Sequence, residues 1–551
     1  MSLQAPITPL SIGRSHTAGG YRDDDDDAAG DNTDLDIGSP GGSLPLLRAI
    51  SPRQPELGAI GVALFLFSAV AGGPYGIETA IQAAGAAPTF VALIFIAIFF
   101  CATQALIVAE LASAYPTNAG VITWSIVGLG PAAGFVSAWI SIAQSLVNMP
   151  LYAVLTANAI NQAYPLSSWA SLAVKASTVV IAGAVNVVGV GAAERITGVM
   201  VLLVQTPFIA LPIVWALNKH PFTWTALEKS VPDWTSNTGI FLATVAWNMQ
   251  GWLNFGSIAG EVKDPTRNIP MGVGVAVILV LLNYVWPLIF AVAIAPDFSK
   301  WSSGYFVEIA IEVAPGLGQW AATAAVLSCM SNFIPVLAAA SRQTQTAAAA
   351  RMLPTSLARL LARDASRFRT PVAAVIINAV AAGALTAFDF DTLVRLQLFL
   401  AITQLVIVVA AFVALKWKSP DARRTYAVPG RFMGACIVAI PIFCIAVLVI
   451  AVNITTTWGE MLILFGVIVL LCGSGIYWER YIYDDIILKR LLGSNLENHN
   501  DDDDDDEVIN NQNNIAALQV DHNNNTPSHQ QPNLTRSRLQ SDEMPFIRAK
   551  K

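Results

Sequence analysis

The chain has 551 residues, of which 54% are hydrophobic and only 13% charged, with a mean hydropathy of +0.56. Soluble domains carry about 25% charged residues, so this composition excludes an ordinary soluble enzyme or nucleic-acid-binding protein. The formal charge of −7 belongs to the ends: residues 1–55 and 493–551 together carry −10, which leaves the middle of the chain basic.

The first 55 residues are polar and hold the acidic block Asp23–Asp27, so we read 1–55 as a disordered acidic cytoplasmic tail. With no secretory signal in that stretch, the first apolar helix must itself direct insertion. A membrane-embedded body follows over 56–480. A hydrocarbon core of about 30 Å needs about 20 apolar residues per helix, and about twelve such spans are expected. They lie near 57–84, 89–113, 131–160, 171–190, 195–217, 238–258, 272–295, 317–341, 371–388, 392–415, 434–453 and 459–478. Residues 481–551 are read as a cytoplasmic tail, disordered and Asp/Asn-rich from about 493. The five cysteines fall in apolar runs without paired spacing and read as small core residues.

Lys and Arg counts orient the spans. One set of loops holds fourteen bases, among them Arg195, Lys263, Arg267, Arg342, Lys416 and Arg424, whereas the opposite set holds Lys175, Lys219, Lys229, Lys300 and Arg395. The rich side is expected to be cytoplasmic, and an even span count puts both termini there. Asn453-Ile454-Thr455 matches a glycosylation sequon, but it lies so close to the membrane that chance explains it better.

Two spans are interrupted. The first contains Gly72-Gly73-Pro74, with Tyr75, Gly76 and the carboxylate of Glu78 close behind. The sixth contains Trp247, Asn248, Gln250, Gly251, Trp252, Asn254 and Gly256. Freed backbone groups are tolerated at bilayer depth only where they line a cavity or face protein. Breaks at matching places in two repeats point to a midplane transport site, although isolated glycines also serve close helix packing. Glu78 pairs with a substrate ammonium, carries a coupling proton, or caps nearby amides; all three roles fit the sequence. Tyr75, Trp247 and Trp252 offer aromatic faces that attract ammonium groups or pack. Asn148 and Tyr152 in the third span, and Asn254, are hydrogen-bonding candidates, with Asn332 a weaker one. Glu110 and Glu261 are expected in gating or structural ion pairs with Lys263 and Arg267.

The motifs "GGPYGIE" (72–78), "AELASAYPTNAG" (109–120) and "AGEVKDPTRNIP" (259–270) resemble those of the amino acid–polyamine–organocation superfamily, most closely its eukaryotic polyamine-uptake branch. Weaker support comes from "KWSSGYF" (300–306), "ARMLP" (350–354) and "KSPDARRTYAVP" (418–429). The resemblance implies an all-α membrane protein with a 5+5 inverted-repeat (LeuT-like) core plus two accessory helices, helices 1 and 6 being broken. It implies a secondary transporter working by alternating access in the plasma membrane, taking up polyamines or amino acids with a coupling proton. Plant-type members carry acids where this chain has Asn148, Leu253, Val336 and Leu396, which implies a pocket poor in acid. A non-transporting nutrient sensor on the same scaffold is the competing class. A membrane enzyme lacks support, since no metal spacing, catalytic triad or phosphate loop occurs in the spans; no metal, cofactor or nucleic acid is expected. The expected partners are a small-molecule substrate, a proton and the lipid bilayer.

Overall fold

A computed structural model describes residues 57–231, 237–362, 370–388, 390–418, 424 and 426–483. Both tails, Arg363, Arg367, Arg369, Arg423 and the side chain of Asp391 lie outside the described residues. The chain divides into a body of residues 1–479, described below, and a unit of 480–551 of which only the first residues are described.

Among the described residues, the regular structure of the body is helical apart from two isolated bridges. Helix α1 (Ala59–Val70) stops at Ala71, because Gly72 takes φ +60° and Pro74 has no amide to donate. Helix α2 (Glu78–Ala84) resumes after the break and ends at Gly85. A single span, α3 (Ala86–Ala114), follows, with a π turn at Ala97–Cys101. The short α4 (Val121–Leu129) was not foreseen, being only nine residues long. Its N-cap Gly120, at φ +47°, lies so close to the Gly256 backbone that a Cβ would come within 2.4 Å of the Gly256 carbonyl carbon. The "YPTNAG" turn is thereby keyed into the sixth span.

Helices α5 (Pro131–Ala163), α6 (Ser168–Val188) and α7 (Val190–Leu217) come next. Prolines open α5 at its first turn, and Ser167 Oγ caps α6 by accepting the Ala170 amide. The sixth span is α8 (Thr238–Asn248), then Met249–Gly251, then a 3₁₀ segment (Trp252–Glu261). Beyond it run α9 (Pro265–Ile294), α10 (Tyr305–Val313), α11 (Pro315–Ala349), α12 (Thr355–Leu361), α13 (Val372–Leu385) and α14 (Phe390–Lys418).

Where the sequence suggested two final spans, one continuous helix, α15 (Arg431–Trp478), covers both. The stretch between them holds neither proline nor glycine, and Gly459 just beyond it costs a helix only about 1 kcal/mol. Among the described residues, eight helices are long and apolar enough to cross a membrane, and Ala59–Val70 and Val372–Leu385 are shorter apolar helices.

The centre of the body is α11, buried from Ser328 through Thr344 and packed on α5 and α7. Met149, Phe333, Ile334 and Leu337 pack there with Trp247 from α8 and Val375 from α13. The faces of α6 and α13 that leave this core expose Val180, Ile181, Ile376 and Val380, as lipid-facing helices do. Cys101 and Cys329 are buried core residues as expected, whereas Cys444 and Cys472 are exposed.

Candidate functional site

The two breaks meet. Gly251, at φ +117°, lies against the end of α1, where a Cβ would come within 2.4 Å of Ala69 O. Around the first break, the backbone is held from three directions. Ala71 and Gly72 amides both donate to Phe67 O, at 2.8 and 2.9 Å. From α11, Asn332 Nδ2 donates to Ala71 O and Ser331 Oγ to Gly72 O, each at 3.3 Å. From α8, Asn248 Nδ2 donates to Gly76 O at 3.0 Å. The glycines permit these approaches: a Cβ would stand 2.1 Å from Asn332 Nδ2 at Gly72, 2.4 Å from Ser328 Oγ at Gly73 and 3.1 Å from the Trp247 ring at Gly76. Gly72, Gly73 and Gly76 thus shape the site by close packing without lining its cavity.

The cavity between the breaks holds about 30 Å³, room for about two waters. Of the residues singled out from sequence, Tyr75, Asn148, Tyr152, Trp247 and Asn254 line it, as does Asn332. Gln144, Asn248, Gln250, Tyr284, Ser328, Cys329 and Gln397 also line it and had not been named as site residues. An amide in the middle of an otherwise apolar span was the available signal for Gln144 and Gln397, since polar groups at bilayer depth rarely face lipid.

Asn148 Nδ2 donates to Tyr152 OH at 3.4 Å, and its Oδ1 has no partner among the described residues. Tyr152 and Trp247 rings lie 6.4 Å apart, and Phe390 meets Trp247 edge-on at 5.9 Å. Tyr75 donates to Ala321 O at 2.7 Å and stacks edge-on with Phe208 and Phe306, which joins the cavity to α10. Tyr284 OH fixes the end of α8 by donating to Asn248 O at 2.8 Å. The carbonyls of Ala69 and Val70, the last of α1, accept no hydrogen bond among the described residues.

Two candidates stand apart from the cavity. Trp252 is fully buried, its indole N–H donating to Met249 O at 3.2 Å, so it braces the second break. Glu78 is fully buried behind the cavity; its Oε2 accepts the Gly76 amide at 2.6 Å, and its Oε1 has no hydrogen-bond partner among the described residues. A carboxylate at this position caps the positive end of α2.

The expected ion pairs have other partners. Glu110 Oε1 meets Lys416 Nζ at 2.8 Å and Arg424 Nε at 3.2 Å, while Oε2 accepts the Val428 amide at 2.6 Å. Glu261 Oε1 meets Arg342 Nε at 2.6 Å and accepts from Asn118 Nδ2 at 3.3 Å. Lys263 and Arg267 are exposed and form no ion pair with either acid. The reason is direction: Glu110 projects from α3 toward α14, and Glu261 toward α11, whereas both bases turn outward to solvent. On the same side, Leu57 forms a two-residue bridge with the end of the 3₁₀ segment, its amide donating to Glu261 O and its carbonyl accepting from Lys263.

The amino acid permease family model matches residues 57–472. The chain is 30% identical to a polyamine transporter of Oryza sativa subsp. japonica, over 76% of this chain and 77% of that one. It is 28% identical to a polyamine transporter of Arabidopsis thaliana, over 68% of this chain and 76% of that one. A branched-chain amino acid permease of Bacillus subtilis is 22% identical over 68% of this chain and 84% of its own. The match spans both interrupted helices and every element that surrounds the cavity. The chain therefore belongs to the amino acid permease family, and is a multi-pass membrane transporter rather than an enzyme.

Proposed function

We propose that the chain takes up polyamines of the putrescine type together with a proton, by alternating access. One observation carries the choice of amine over amino acid. The amides that open α2 are where a substrate carboxylate would bind, and there Gly76 N–H is already engaged by Glu78 Oε2 at 2.6 Å. A second carboxylate would meet a filled donor and a like charge. An ammonium meets the reverse: the open carbonyls of Ala69 and Val70, the open Oδ1 of Asn148, and the faces of Trp247 and Tyr152. The relatives described as polyamine transporters support the same substrate.

In this reading Glu78 stays ionised and is the acid that draws the ammonium inward. In the same reading both tails are cytoplasmic, which the Lys and Arg bias of the loops supports, and the membrane is the plasma membrane. Glu110 and Glu261 close the cytoplasmic side.

The test is uptake of labelled putrescine into proteoliposomes under an inward proton gradient. Uptake should rise as the outer solution is acidified, be blocked by unlabelled diamine and not by leucine, and fall at least tenfold in Glu78→Gln. No putrescine uptake with leucine or arginine uptake present would replace this reading by an amino acid permease. That second reading draws on one feature, the absence of any carboxylate among the described residues lining the cavity.

A further inference from the structure

This inference rests on the amine-transport reading and narrows its substrate. Among the described residues, none that lines the cavity carries a charge. The negative field there comes from the C-terminal ends of α1 and α8, worth roughly half a charge each, and from Glu78 two hydrogen bonds behind, through Gly76 and Asn248. The 3₁₀ segment that starts after Gly251 turns the opposite end of its dipole toward the same place, which trims this field further.

The wall on the α14 side is an amide pair. Gln250 Nε2 donates to Gln397 Oε1 at 2.7 Å, and Gln397 is 1% exposed. With one lone pair of its carbonyl oxygen engaged by Gln250, Gln397 offers an ammonium at most one further neutral acceptor and no counter-charge. A third or fourth ammonium reaching this wall would be buried without a counter-charge, and an unpaired buried ion carries a penalty of several kcal/mol.

We propose that the site accepts diamines and refuses tri- and tetra-amines, and that Gln397, held by Gln250, is the specificity-determining residue at the wall where the longer cations fail. Gln397→Glu keeps the side chain's size and still accepts the Gln250 hydrogen bond, while adding the missing charge.

The experiment measures competition by unlabelled putrescine and spermine against labelled putrescine uptake in proteoliposomes, at one pH and ionic strength. In the native sequence, spermine should compete at least about tenfold less well than putrescine, the equivalent of about 1.4 kcal/mol. Gln397→Glu should narrow that gap about tenfold, read as the ratio of spermine to putrescine competition within the variant itself. Gln250→Glu, which puts the charge on the other half of the pair, should narrow it too. Spermine competing as well as putrescine in the native protein would overturn the proposal. So would an unchanged gap in either variant that still carries putrescine. Loss of putrescine uptake in the native protein is a different result, and overturns the amine-transport reading itself.

Discussion

Gly72 combines a left-handed backbone with a side-chain direction already filled by Asn332 and Ser331. Gly72→Ala adds about 1–2 kcal/mol of backbone strain to a clash that only movement of α11 can relieve. The expected outcome is a lower melting temperature in detergent and no uptake, with Gly274→Ala, whose Cβ would meet open space, as the unaffected control. Trp247 acts at the same scale. Its face is worth about 2 kcal/mol to a desolvated ammonium, so Trp247→Ala should raise the putrescine KM by at least about tenfold, and Trp247→Phe should recover part of it. The sequence made Tyr75, Trp247 and Asn254 legible as polar or aromatic residues near a helix break, and Asn148 and Tyr152 as hydrogen-bonding groups inside the third span. It could not reveal that Trp252 turns away from the cavity or that Glu78 folds back on Gly76, since both depend on rotamers chosen by packing.

At the scale of elements, two buried ion pairs tie spans together on the side of the basic loops. Glu110 on α3 holds Lys416 at the end of α14, and Glu261 at the end of the 3₁₀ segment holds Arg342 on α11. Removing one member leaves the other as an uncompensated buried charge, which costs about 3–5 kcal/mol. Glu110→Gln should therefore lower stability in a denaturation or thermal-shift measurement far more than Lys263→Gln, which removes an exposed base. Helix interruptions at Gly72-Gly73-Pro74 and Gly251 were legible, being local chemistry. The partners of those interruptions were not, because Ser331 and Asn332 reach the first break from some 260 positions away. Nor were the true partners of Glu110 and Glu261, for which only the nearest basic motif was available as a guide.

Taken whole, the body carries its own machinery: both breaks, the cavity and both ion pairs lie between Leu57 and Val428. A chain shortened to 56–480 should keep putrescine uptake within about a factor of two per inserted protein. If the acidic ends served as a signalling device on a silent scaffold, neither the full chain nor the shortened one would carry substrate. Span count was the least legible property at this scale. Hydropathy marks apolar length, but a turn between two apolar runs needs its own punctuation, and Asn453–Trp458 contains neither glycine nor proline.

The smallness of the cavity has a consequence for efficiency. With room for about two waters, the space between the breaks is smaller than a diamine or an amino acid. A substrate must then wedge the helices apart to enter, so the energy of its binding goes into opening the space that it occupies, and the carrier stays silent until its cargo arrives.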